Sequence, residues 1–587
     1  MYSLLEGWSN TVRIQLRLPN KLLILLTAAM VLLTVSDQMA AEEYELVDLV
    51  QLQKFEQVEE LLSNREVDVN IPQADGATAL AWSVHWNNHE LTAELIRHGA
   101  DVNSANELGV TPLMLAALNG SNTMVSSLLD SGAMARMSRP SGETALMMAA
   151  RVGNTEILQL LTKAGANPNA STTAGYTALM WAVSEGHTKA AQILIDAGAA
   201  VIDVRTHFNP PTQRTYGSGA RELVLLREGE AANPAEFPRD GDGDPPRTVG
   251  GFTPLLYGVL GGHLDTVRVL VAEGSDVNEA SPDGVSALML ALTKRHEDLA
   301  LFLLNQGADP NYDPRANMLN SNEFLADGQD PLADTNPQPL VDFAGYTALH
   351  LAAATSQHNA LRTLLEMGAE PDARMDRPKR FIRAFEIGVF TAPGAGRMTN
   401  VGSTPFMIAA KSADAIAMRI LADYGADPLA TTTDGTTALA LAAGLGKRAA
   451  TDINYYEWTE TKAVDAVQAA LDLGVDINAT NEWKETALHG ATYHAAENLI
   501  RFLIDNGADI DSTDWEDQTP LRVAKGHMIC CTTYAEHPHI AELLLELGAD
   551  PEAGKQVTFG LLGYHSENKD DSPSPSTEST SAEERRQ

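Results

Sequence analysis

The run Asp240-Gly241-Asp242-Gly243-Asp244 carries the donors with which a calcium loop begins. Carboxylates on alternate residues offer hard oxygens to a hard cation. The pattern stops there. Pro245 stands where such a loop needs glycine, and Gly251 where a bidentate glutamate would close it, so a flexible acidic turn is the competing reading. A second cluster, His527, Cys530, Cys531, His537 and His539, has the ligand types of zinc or copper. Adjacent cysteines seldom both reach one metal, which leaves a labile vicinal disulfide or plain loop thiols as the alternatives. A third group, Arg374, Arg377, Lys379, Arg380 and Arg383, is interleaved with Phe381, Ile382 and Phe385. It reads either as a face packed on the chain's own acidic surface or as a dock for an acidic partner.

Nucleophile elbows, zinc-protease helices, complete phosphate loops and Cys-x-x-Cys pairs are all missing from the sequence. Gly444-Leu445-Gly446-Lys447 lacks the glycine spacing a phosphate loop needs. An enzyme would therefore have to build its site from separate segments. No cofactor is called for beyond calcium at Asp240, Asp242 and Asp244.

The composition narrows the class. The 587 residues carry 78 acids against 41 bases, a formal charge of −37, which argues against nucleic acid as a partner. Hydrophobic residues make up 44% and charged ones 20%, a globular balance, and two cysteines cannot build a disulfide scaffold. At the N-terminus, Arg13, Arg17 and Lys21 precede an uncharged stretch from Leu22 to Val35, followed by Ala40-Ala41. As a helix that stretch would rise only ~21 Å, short of a bilayer core of ~30 Å. It fits a secretory signal peptide over residues 1–41, with an uncleaved anchor as the alternative. The expectation is an exported, soluble monomer, periplasmic or secreted, without stable membrane insertion after cleavage.

The elements that position these residues follow from a repeat. Thr78-Ala79-Leu80, Thr111-Pro112-Leu113, Thr144-Ala145-Leu146 and Thr177-Ala178-Leu179 recur at 33-residue steps. So do the pairs Thr253 and Ser286, Thr404 and Thr437, and Thr486 and Thr519. Each opens an alanine-rich apolar segment. A polar turn and a second apolar segment follow, closed by Gly-Ala-Asp-x-Asn or a variant, as at Gly99 to Asn103 and Gly307 to Asn311. Threonine and proline suit a first helical turn, and the glycine suits a helix end.

This unit resembles the ankyrin repeat, and Thr347-Ala348-Leu349-His350 is among the closest matches to its opening motif. The resemblance implies an all-α solenoid of about twelve helix-turn-helix units over residues 42–553, on the order of 100 Å long if helices pack at the usual spacing. The segment Leu46 to Asn70 would be the N-terminal cap. Insertions interrupt the array at about 203–249, 312–343, 373–401, 443–460 and 527–539, and residues 554–587 form a packing segment and an acidic tail. The resemblance further implies a scaffold that binds a protein along a concave face. Carried over by position, that face holds Trp86, Tyr176, Phe252, Phe343, Tyr346, Trp483, Tyr493 and Trp515. Aromatic residues dominate binding hot spots. Two other readings stay open: a metal- or redox-linked protein using the Cys530–His539 loop, and an enzyme whose site the insertions form.

Overall fold

The computed structural model describes residues 45–63, 67–206, 251–281, 284–313, 346–375, 402–446, 458–526 and 536–554, and the backbone of six short strands. Among these residues 24 helices form twelve consecutive pairs. The first helix of a pair starts at the threonine opener. Thr78, Thr111 and Thr144 are extended, and each side chain accepts from the backbone N–H three residues on, at 3.3 Å. Pro112, Pro254, Pro405 and Pro520 occupy the first helical turn, where a missing N–H costs nothing. The second helix ends at glycine. Gly132 adopts φ +92°, and Ala133 N–H turns back to Leu128 O at 2.9 Å, closing the last turn.

Between pairs the chain makes a tight hairpin. Ser138 bridges Thr144, with Arg139 N–H donating to Glu143 O at 2.9 Å and Gly142 N–H to Arg139 O at 2.8 Å. The core is a ladder at the repeat period: Leu80, Leu146 and Leu179 from first helices, and Leu95, Leu128, Leu161 and Leu194 from second helices, all fully buried. Each such leucine contributes roughly 2–3 kcal/mol by burial.

The closing asparagine joins one repeat to the next. Asn103 Nδ2 donates to Gly132 O at 3.1 Å, and its Oδ1 accepts from Met134 N–H at 2.8 Å. Asn70 does the same with Gly99 and Asp101. At the next equivalent position stands Arg136, whose Nε reaches Gly165 O at 2.7 Å and replaces the amide.

The chain divides into two compact units, Met1–Ala182 with Lys189–Ala199, and Val183–Thr188 with Ala200–Gln587. In the second, Asn278 Nδ2 reaches Gly307 O, and Asn311 Nδ2 reaches Gly368 O at 2.9 Å across an insertion. Two other insertions leave the stack through closed necks. Thr206 N–H donates to Phe252 O at 3.0 Å and Gly251 N–H to Thr206 O at 2.9 Å. Met375 and Ser403 repeat the pattern, with Gly402 N–H donating to Met375 O at 2.7 Å. These bonds match those of the Arg139–Glu143 hairpin, so both insertions hang from hairpin tips. The 443–460 insertion rejoins its repeat through Trp458, whose indole N–H donates to Ala442 O at 3.2 Å.

The described residues depart from an all-α reading only in three two-stranded antiparallel hairpins. Thr212–Thr215 pairs with Arg221–Val224, Met528–Ile529 with Thr532–Thr533, and Phe559–Gly560 with Gly563–Tyr564.

Candidate interaction surface

In the first unit, the fourth residue after each opener lies on the free side of the first helix. Trp82, Leu115, Met148 and Trp181 form a half-buried row there, one residue per repeat. Beside the row, Trp86, Leu118 and Val152 are 41%, 46% and 41% exposed. Trp82 and Trp86 stack at 6.3 Å, and His85 meets Trp86 edge-on at 4.8 Å. The Trp82 indole N–H donates to Gln73 Oε1 at 2.8 Å, and Gln73 Nε2 donates in turn to Asp48 and Gln51. At the other end Tyr176 stacks on Trp181 at 5.4 Å, and the Arg151 guanidinium lies 5.2 Å over the Trp181 ring. Arg151 thus sets a positive charge at this end of the row, in a chain of formal charge −37.

The scaffold beneath the row is stiff. Asn119 Nδ2 donates to Val84 O at 2.9 Å and His85 O at 3.2 Å, tying the C-terminus of helix Ala79–His85 to the following repeat. In the second unit the equivalent residues Tyr257, Leu290, Leu351, Ile408 and Leu441 are buried. The open apolar row therefore belongs to the first unit. Along the hairpins of that unit runs an open cleft of about 590 Å³, lined by Arg136, Ser138, Thr144, Asn167 and Ser171 among others. Arg136 is its one titratable side chain, so the cleft lacks an acid–base pair.

The second unit carries a buried polar cluster at three successive hairpin tips. Glu485 is buried and accepts from Asn481 Nδ2 at 3.1 Å and Tyr493 Oη at 3.0 Å. Burial pushes its carboxyl up to about 7; Asp514 and Asp434 push the same way against those two hydrogen bonds. His350 and His489 are fully buried at the third helical position. Each Nδ1 accepts from its opener's N–H, at Thr347 and Thr486, and each Nε2 reaches a carbonyl of the next repeat, Ser403 O or Gln518 O, at 3.1 Å. Desolvation holds both imidazoles down at about 4.

Family models for ankyrin repeats match residues 46–137, 132–205, 225–313 and 459–555 as three-copy arrays, and residues 344–376 as a single repeat. The chain belongs to the ankyrin-repeat family. Among curated proteins it is similar to neurogenic locus notch homolog protein 1 of Xenopus tropicalis, 28% identical over 255 residues, 43% of this chain and 8% of that protein. It is also similar to a mitochondrial disaggregase of Bos taurus, 29% identical over 126 residues, 20% of this chain and 18% of that one. A third relative is a transient receptor potential cation channel subfamily A member 1 homolog of Caenorhabditis elegans, 26% identical over 200 residues, 34% of this chain and 13% of that one. The matched stretch spans less than a fifth of each relative's length. Ankyrin repeats generally mediate protein–protein interaction.

Within this ankyrin-repeat chain the aromatic residues named from the sequence have different fates. Trp86 and Trp515 are exposed, at 41% and 39%, while Tyr176, Tyr346, Trp483 and Tyr493 are half-buried. Tyr346 sets its ring edge-on to His350 at 6.0 Å. Phe252 is a correction. It is 4% exposed, packed 5.5 Å from Tyr257, and its backbone closes the insertion neck, so it offers no face to a partner. Of the basic run, Arg374 is committed to its own chain, its guanidinium donating to the carbonyls of Gly402 and Thr431.

Phe343, Asp240, Asp242, Asp244, His527, Cys530 and Cys531 lie outside the described residues, as do Arg377 to Arg383, residues 1–41, where a signal peptide is expected, and most of residues 554–587. His537 and His539 stand 6.1 Å apart, and burial lowers the His537 imidazole. Among the described residues no group of three or more His, Cys, Asp or Glu is arranged to hold a metal, and no helix is long and apolar enough to cross a membrane. Sequence reasoning missed Trp82 and Trp181. Their signal was a constant offset of four from the openers Thr78 and Thr177.

Proposed function

We propose that this chain is an exported, non-catalytic scaffold that grips a protein partner on the first-helix face of its N-terminal repeats. The observation that carries this reading is the open row Trp82, Leu115, Met148 and Trp181 with Trp86, Leu118 and Val152 beside it. An apolar surface with aromatic residues at both ends has the composition of an interface centre. A few adjacent repeats suffice for a standard interface of ~1,200–2,000 Å². Export is supported by Arg13, Arg17 and Lys21 ahead of the uncharged Leu22–Val35 stretch and Ala40-Ala41.

The test is cross-linked capture from the envelope or secreted fraction, using the chain from Ala41 onward and a Trp86→Ala/Leu118→Ser variant. A dominant protein retained by the parent and lost by the variant, with unchanged thermal melting, supports the reading. Equal capture by both removes this face from it. N-terminal sequencing of the native protein checks export: a start near Ala41 supports it, and an intact Met1 in the cytosol overturns it.

A further inference from the structure

The second unit carries a different kind of recognition chemistry at its hairpin tips. Three successive tips, residues 432–436, 481–485 and 514–518, are joined by backbone. Glu482 N–H donates to Asp434 O at 2.8 Å, and Trp515 N–H donates to Trp483 O at 2.9 Å. These bonds fix where the two indoles sit: their rings stand 6.1 Å apart at 76°. Trp515 is 39% exposed and Trp483 half-buried.

Carboxyl groups gather at the same tips. Asp434, Glu485 and Asp514 are buried, and Glu482, Glu516 and Asp517 lie nearer solvent, against the single base Lys484. Asp434 Oδ1 accepts from the Thr432 and Thr436 hydroxyls and from Thr436 N–H. Its other oxygen, Oδ2, is buried without a hydrogen-bond partner although the residue is 8% exposed. A buried carboxylate oxygen left unmatched is costly.

Indole rings on tips that also carry carboxyl groups suit a cation. A guanidinium suits them best, because it is flat enough to lie on an indole and forked enough to meet a carboxylate with two N–H groups. We propose that the Trp483–Trp515 tip receives an arginine side chain of a protein partner. The proposal rests on the reading of the chain as a protein-binding scaffold, but on residues of the second unit and not on the Trp82–Trp181 row.

The test titrates the full chain with the peptide Gly-Arg-Gly-Arg-Gly, following heat and tryptophan emission, beside the same peptide carrying lysine or the uncharged isostere citrulline. Binding should fall about tenfold or more with Trp515→Ala. It should fall by a similar factor with citrulline, less with lysine, and little with Trp515→Phe. Trp515 sits on an exposed tip, so the variant should melt as the parent does. Equal binding by parent and Trp515→Ala would mark diffuse attraction to an acidic chain and overturn the proposal. Equal binding of the citrulline peptide, or no binding of the arginine peptide at millimolar concentration, would overturn it too. Either failure leaves capture through Trp86 and Leu118 untouched, so the two readings fall separately.

Discussion

Arg205 and Arg374 make the same bridge at the base of two different insertions. Arg205 Nη1 donates to Gly251 O at 3.1 Å and to Ala280 O at 2.9 Å. Arg374 Nη1 donates to Gly402 O at 3.0 Å and to Thr431 O at 2.8 Å. Each guanidinium ties the far end of its own insertion to the hairpin of the next repeat. The stack is closed beneath each loop by residues at the loop's base.

Excision follows directly. Replacing residues 207–250 with Asp-Gly should leave the melting temperature of the second unit within a few degrees of the parent. Arg205→Ala should instead destabilise the neck by about 1–3 kcal/mol, since both bonds come from a charged donor. Hydrogen exchange at Thr206 and Phe252 reads this locally. Unfolding of the excised variant would show that the insertion supports the stack after all.

Glu485 gives a pH dependence of defined sign. Its folded carboxyl is raised to about 7 from an ordinary value of 4.5, so the native state holds a proton that the unfolded state has lost. Stability from this group is complete below 4.5 and is lost as pH rises to about 7, on the order of 3 kcal/mol in all. Glu485→Gln, compared with the parent by urea unfolding, should gain relative stability across that window and no more above it. A pH-independent difference would assign the titration elsewhere.

His350 and His489 act with the opposite sign. Their Nδ1 atoms accept the Thr347 and Thr486 N–H groups, so a proton there would face a donor. With folded values lowered to about 4, stability is full above 6.5 and falls as pH drops from 6.5 to 4, on the order of 3 kcal/mol per ring. Imidazole NMR should show two rings that stay neutral down to about pH 4. Titration of both near 6.5 would remove the cap from the account.

Two glycines separate backbone conformation from space. Gly132 has φ +92° and open room around an added Cβ, so Gly132→Ala should cost about 1 kcal/mol. Gly142 has φ +89°, and its Cβ would sit 2.6 Å from Ser171 O and 2.7 Å from Thr172 Cα. Gly142→Ala should cost at least about twice as much, because backbone of the next hairpin must move. Equal melting shifts for the two variants would contradict the close approach.

The repeat was legible because its signals act over short range. A threonine caps three residues ahead, a glycine turns the last helical residues back, and an asparagine recurs one period later, so Thr78, Gly99 and Asn103 are readable in isolation. Burial is not local in this way. Trp82 and Ile408 hold the same place after their openers, yet the first is half-exposed and the second buried. Tyr176 and Phe252 both precede an opener, but Phe252 is drawn in where the chain returns from an insertion. Arg374 looked like one base in a run because its partners, Gly402 and Thr431, come back to it only through the fold.

The asparagine clamp has a consequence for chain entropy. From Asn70 to the glycine carbonyl it binds is 29 residues, whereas from Asn311 it is 57, and the bonds are 3.0 and 2.9 Å. Closing a loop twice as long costs only about 0.6 kcal/mol more. That is less than one typical hydrogen bond contributes, and the asparagine makes two. Loop length in this array can therefore drift from generation to generation almost unopposed by stability. What it cannot tolerate is a break in the residues that bring the two ends of the loop back together.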